Sequence, residues 1–175
     1  MNARAHWLIL PASTMVVCAS AYATTYLTVE QAQAAIFPGA RMTSAEIALS
    51  DAARRDIERR SGVNVRRSDV RVWKVEGGGW FIVDDVVGKH EFITFALGLA
   101  PDGSVTGIEV MDYRESYGHE IRDRGWRQQF SGKTARDPLV LDRDIRNISG
   151  ATLSCRHITD GVKRLLATYE VVLKP

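Results

Sequence analysis

Two short stretches near the start of the chain have helical spacing. "TVEQAQAAIFPGA" predicts a short helix: Thr28 caps it, Gln31 three positions on completes a capping box, and Pro38-Gly39 stops it. Ser50 to Arg60 predicts a second helix with Ile57 facing inward. Its "ARRDIERR" is a charged outer face, and Ser61-Gly62 ends it. The period then shortens. "VRVWKV" alternates, with β-branched Val70, Val72 and Val75. "EGGG" turns, "WFIVDDVV" is extended, "GKHE" turns, and "FITFALGLA" is a long apolar strand. "PDG" is a tight turn in which proline presets φ and glycine supplies a positive one, and "SVTGIEVMDYR" closes the hairpin. Val70 to Arg114 therefore predicts a four-stranded antiparallel meander, with Trp73, Trp80 and Phe92 read as packing residues.

Beyond Arg114 the pattern loosens into loops. A short helix is predicted around Ile121 to Phe130, a short strand at "PLVL", and a last helix from Thr152 or Ser154 to Thr168. Ile158, Val162, Leu165, Leu166 and Tyr169 give that helix one continuous apolar face. "EVVLK" is a candidate closing strand. The expected fold class is α+β, a twisted antiparallel sheet with helices packed on it. Residues 24–69 are read as a helical segment joined to 70–175 in one globular unit.

Composition adds three points. The formal net charge is +2 and the arginines are interspersed with acids, so nothing points to nucleic acid. "MNARAHWLILPASTMVVCASAYA" has an early Arg4, an apolar centre broken by Pro11, and Ala21-Tyr22-Ala23 at its end. That is the layout of a secretory signal peptide cleaved near Ala23, with a periplasmic destination and an association with the membrane left open. Without that segment, which holds Cys18, only Cys155 remains, and it has no partner for an internal disulfide. His90, His119 and His157 show no metal-ligand spacing.

The chemistry concentrates just before the last helix, in Ser149-Gly150-Ala151-Thr152-Leu153-Ser154. Three readings are open. Thr152 or Ser154 can cap the helix. The same N-terminus can bind a phosphate through backbone N–H groups and the helix dipole, with Gly150 and Ala151 leaving room for it. A hydroxyl held there can also become a phosphoester.

"ISGATLS" resembles the flavin-attachment motif of the FMN-binding domain family, found in flavin subunits of the Rnf complex and the sodium-pumping NADH:quinone reductase and in small exported flavoproteins. The likeness extends over roughly Gly88 to Leu166. It takes in "GKHEFITFALGLAPDGSVTGIEVMDYRESYG", then Trp126, Gln129-Phe130 and Gly132-Lys133, then "DIRNISGATLS" and "GVK". The resemblance implies that a flavin transferase takes FAD and esterifies FMN to Thr152. It also implies that Ser149, Gly150, Ala151, Leu153 and Ser154 surround the phosphate, and that the ring lies against Glu115, Ser116, Tyr117 and Gly118. Tyr117 would pack on the ring and Gly118 would permit close backbone approach. Lys133 could meet phosphate or ring carbonyls, or simply be solvated; His119 could relay a proton. Trp126 and Phe130 read as core, and Cys155 as a small buried residue. One departure stands out: the family commonly has an acid where this chain has Arg146, with Asp144 nearby as a substitute.

The resulting expectation is an exported electron-transfer flavoprotein, a redox subunit rather than a stand-alone catalyst. It would pass electrons between membrane or periplasmic donor and acceptor proteins. No nicotinamide fingerprint and no nucleophile–base constellation is present. The alternatives are a module that binds FMN or another phosphorylated ligand noncovalently, a subunit of a larger membrane redox complex, and an interaction protein whose small residues only cap a helix.

Overall fold

A computed structural model describes residues 24–115 and 117–175. The expected signal segment, with Cys18, and Ser116 lie outside the described residues. The sheet has six strands in the order β1-β6-β5-β4-β3-β2, all neighbours antiparallel. β1 is the two-residue Thr24–Thr25, β2 is Met42–Ala48 and β3 is Asp69–Val75. β4 is Trp80–Val87, β5 Phe92–Leu99 and β6 Val105–Tyr113. The predicted meander is β3 to β6. Residues 24–69, expected from the sequence to be helical, also supply β2, which pairs with β3 along its whole length. As an edge strand of small and polar residues, β2 carries only a weak apolar alternation.

The helices sit on both faces. α1, Val29–Ile36, has the expected capping box from Thr28 and Gln31 and covers Phe81, Val83, Ala96 and Met111. α2, Asp51–Ser61, is capped by Ser50 and closed by Gly62 in the left-handed conformation. The expected helix near 121–130 is broken into single turns: 3₁₀ His119–Arg122, α3 Arg124–Arg127 and 3₁₀ Gln128–Phe130.

α4, Thr152–Thr168, buries Ile158, Val162, Leu165 and Leu166 against the other face, among Ile82, Val86, Phe95 and Leu97. Gly161 sets its approach to the sheet. A Cβ there would lie 2.8 Å from Val86 Cγ1 and 2.9 Å from Phe95 Cζ.

Two predicted strands do not form. "PLVL" folds into a tight loop in which the Val140 carbonyl accepts from the N–H groups of Arg143, Asp144 and Ile145, and Asp144 Oδ2 accepts from the Val140 N–H at 2.8 Å. The only ladder contact of this loop among the described residues is the single bridge Leu141↔Ile145. "EVVLK" continues α4 as a widened turn, Tyr169–Leu173, closed by the Lys174 N–H to the Tyr169 carbonyl at 2.8 Å. Tyr169 is held there by its hydroxyl donating to the Pro101 carbonyl at 2.8 Å, which anchors the end of α4 to the β5–β6 turn.

β3 and β4 pair only up to Arg71↔Val83. Continuing that register would set Asp69 opposite Asp85, a like-charge pair that a ladder disfavours. The strands diverge instead. Asp85 takes Arg71 at 2.8 Å and Thr94 at 2.7 Å, and Asp84 takes Arg164 of α4 at 2.6 Å. A recess of about 430 Å³ opens in the gap, rimmed by arginines and floored by Leu49, Val65, Val70 and Leu165.

Candidate functional site

The small-residue run does not cap α4 through a side chain. The N-cap is Ala151, and no side-chain cap hydrogen bond is made. Gly150 has φ +85°, and a Cβ added to it would meet nothing within 4 Å. The Ser149-Gly150 turn places the Ala151 N–H on the Ile148 carbonyl at 3.0 Å, so the N-cap falls one residue before Thr152 and three before Ser154. Thr152 and Ser154, both expected as possible caps, lie inside the first turn, and neither hydroxyl accepts one of its N–H groups. The N–H groups of Thr152, Leu153 and Ser154 have no protein acceptor among the described residues.

The two hydroxyls have separate partners. Thr152 Oγ1 accepts from Asn147 Nδ2 at 3.1 Å. Ser154 is buried, and its Oγ lies 3.0 Å from Tyr113 Oη. Tyr113, only 4% exposed at the end of β6, also donates to the Tyr117 carbonyl. Burial pushes the Tyr113 phenol up, against a smaller opposing effect of the Ser154 bond.

This tyrosine therefore joins Tyr117 to the first turn of α4. Gly118 completes the seat with φ +92°: a Cβ there would lie 2.7 Å from Tyr113 Oη and 2.9 Å from Ala151 Cβ. Tyr117 stands 82% exposed and Leu153 40% exposed beside the motif.

Glu115 reaches the β4–β5 turn, where its Oε1 accepts the N–H groups of His90 at 2.5 Å and Glu91 at 3.0 Å. Burial works to raise its pKa, but the bonds from His90, Glu91 and Lys89 outweigh it, so the carboxyl lies below the ordinary glutamate range. Its carboxylate thus fixes a turn. His119 is exposed directly after Gly118.

Lys133 is not brought to the motif. Its backbone pairs with Val105 at the start of β6 and its ammonium lies 3.4 Å from Asp137. Tyr113 is eight residues further along the same strand, about 26 Å at ordinary strand rise.

Trp126 and Phe130 are buried, with their rings edge to face at 5.3 Å. Trp126 Nε1 donates to the Arg146 carbonyl at 2.7 Å, and Gln129 Oε1 accepts the Arg146 N–H at 2.7 Å. The Arg146 side chain is exposed, so the structure uses this residue through its backbone. The Asp144 carboxylate is occupied in its own loop. Cys155 is fully buried, and burial raises its thiol.

Sequence reasoning missed Tyr113, Gln129 and Asn147 as structural partners of the motif. Only Tyr113 carried a signal, as the last inward position of a β-strand.

Comparison with known proteins bears on this arrangement. Residues 88–167 match the FMN-binding domain family, a span that includes β5, β6, the 115–118 loop and nearly all of α4. Over 86 residues the chain is 30% identical to a subunit of the Na⁺-translocating ferredoxin:NAD⁺ oxidoreductase complex of Acetobacterium woodii, covering 44% of this chain and 42% of that relative. The chain thus spans less than half the length of the relative it matches. An open helix N-terminus with a flanking glycine turn suits a phosphate-bearing cofactor. Residues 88–167 are thus similar to the FMN-binding domain family, and the chain is distantly homologous to that oxidoreductase subunit.

Proposed function

We propose that this chain is an exported electron-transfer flavoprotein that carries FMN through a phosphoester to Thr152. The observation that carries the reading is the open first turn of α4. Three backbone N–H groups have no protein acceptor among the described residues, Gly150 leaves the approach clear, and the Thr152 hydroxyl stands at the first helical position. The dipole and free N–H groups at that end favour an anion. Thr152 would hold the phosphate, with Ser149, Gly150, Ala151 and Leu153 around it, and Ser154 would keep the turn tied to Tyr113.

Bound flavin supplies one- and two-electron chemistry; the protein supplies attachment, orientation and tuning. The exposed apolar side chains of Tyr117 and Leu153 flank the motif and suit a flat aromatic ring. Gly118 fixes the loop that carries Tyr117. A covalent link retains the cofactor in a compartment where free FMN is not supplied. A flavin transferase would donate the group from FAD, and membrane or periplasmic redox proteins would be the electron partners.

The test is co-expression with a flavin transferase in an exporting bacterium, followed by denaturing electrophoresis under ultraviolet light. Fluorescence should migrate with the chain and vanish in Thr152→Ala. Flavin released on denaturation would point to noncovalent binding, and a colourless protein beside an active transferase would refute flavin binding.

A further inference from the structure

We propose that Asn147 is the positioning residue that presents the Thr152 hydroxyl for esterification, a role that rests on the phosphoester reading above. Its Nδ2 donates to Thr152 Oγ1 at 3.1 Å while its Oδ1 accepts the Ile148 N–H at 2.9 Å. Both ends of the carboxamide are engaged, so its orientation is set. The preceding residue is fixed as well. The Arg146 carbonyl and N–H are held by Trp126 and Gln129, each at 2.7 Å, and Ile145 is fully buried. A chain of contacts thus runs from the buried Trp126 to the Thr152 oxygen.

The contrast with the other threonines of α4 shows what this achieves. A helical threonine commonly turns its hydroxyl back to a carbonyl one turn earlier. Thr159 does so to the Cys155 carbonyl at 2.7 Å and Thr168 to the Arg164 carbonyl at 2.9 Å, which commits both hydroxyl protons. Thr152 instead receives a hydrogen bond. One lone pair is engaged by Asn147, the side chain is held in one rotamer, and its proton is left free to be given up.

In the transfer, Thr152 Oγ1 forms a bond to the FMN-side phosphorus of FAD. The phosphoanhydride bond breaks, AMP leaves with the bonding pair, and the hydroxyl proton is released. No electron changes hands. Asn147 holds the attacking oxygen before this step. The exposed Arg146 side chain makes no contact with that oxygen.

Asn147→Asp removes the donor while keeping the shape of the side chain. It keeps an oxygen for the Ile148 N–H and replaces the Nδ2 amide with an acceptor. Asn147→Ala removes both contacts. The readout is the initial rate of covalent flavin uptake by the purified full chain with flavin transferase and FAD, followed by intact mass. Both variants should be slower by about tenfold, the factor set by one hydrogen bond of about 1.4 kcal/mol, with Asn147→Asp retaining the wild-type urea midpoint.

A second readout needs no flavin. In Thr152→Val the side-chain amide resonances of Asn147 should shift in a ¹⁵N correlation spectrum. Wild-type uptake by Asn147→Asp, or unmoved amide resonances in Thr152→Val, would overturn the role of Asn147 while leaving the ester standing. A wild-type chain that takes up no covalent flavin would sink the ester, and this role with it.

Discussion

Glu115 shows how a single residue in the candidate site serves the fold. Its carboxylate is accommodated by the backbone N–H groups of the β4–β5 turn, and its folded-state pKa is lowered. A lowered carboxylate contributes stability that is present above its unfolded pKa of about 4.3 and is lost as pH falls through the lower folded value. Glu115→Gln should therefore destabilise the protein by about 1–2 kcal/mol at pH 7, the scale of a charged hydrogen bond. The gap to wild type should close as pH is taken below about 4. Urea titrations of both proteins across that range measure it; a gap independent of pH would show that the carboxylate charge is not what the turn uses. Legibility in the sequence also differed residue by residue. The run 149–154 stood out by its composition. Tyr113 and Asn147 did not, because their roles depend on partners 41 and 5 positions away that only folding aligns.

At the level of elements, α4 carries the motif at its N-terminus and seats the rest of its length on the sheet. Its position is set by Gly161, where the helix passes closest to Val86 and Phe95. Gly161→Ala puts a methyl into that contact and should cost about 1–3 kcal/mol by overpacking, despite alanine's higher helix propensity. Chemical denaturation measures this, and a stabilised variant would show that α4 can lift without penalty. The apolar period of α4, the capping box of α1 and the turns of the meander were legible because each is local. β2 was not, because an edge strand buries only part of one face. "PLVL" and "EVVLK" read as strands from their branched residues. Side-chain and carbonyl capture by Asp144 and Val140 curls the first, and the anchoring of Tyr169 on Pro101 keeps the second continuous with α4.

In the whole molecule the family match starts at residue 88 and stops at 167, yet the core does not. Ile82 and Val86 of β4 lie against α4, Phe81 and Val83 pack under α1, and Tyr169 and Leu173 belong to the core that contains Ile158. A fragment of residues 88–167 alone should lack a central strand and remain unfolded. Restoring 24–87 and 168–175 should recover a cooperative transition. Far-ultraviolet circular dichroism with a urea titration decides it, and a cooperatively folded fragment would show that β4 is dispensable to the core. By itself the sequence determined the α+β class, the meander, the amphipathic last helix and the place where the chemistry concentrates, because period, turn residues and composition act over a few positions. Only the tertiary structure decided that Thr152 and Ser154 do not cap that helix, that Gly118 lies against Ala151, and that Lys133 sits at the far end of β6. Those outcomes depend on which distant groups compete for the same hydrogen bonds and the same space, and that competition exists only once the chain has folded.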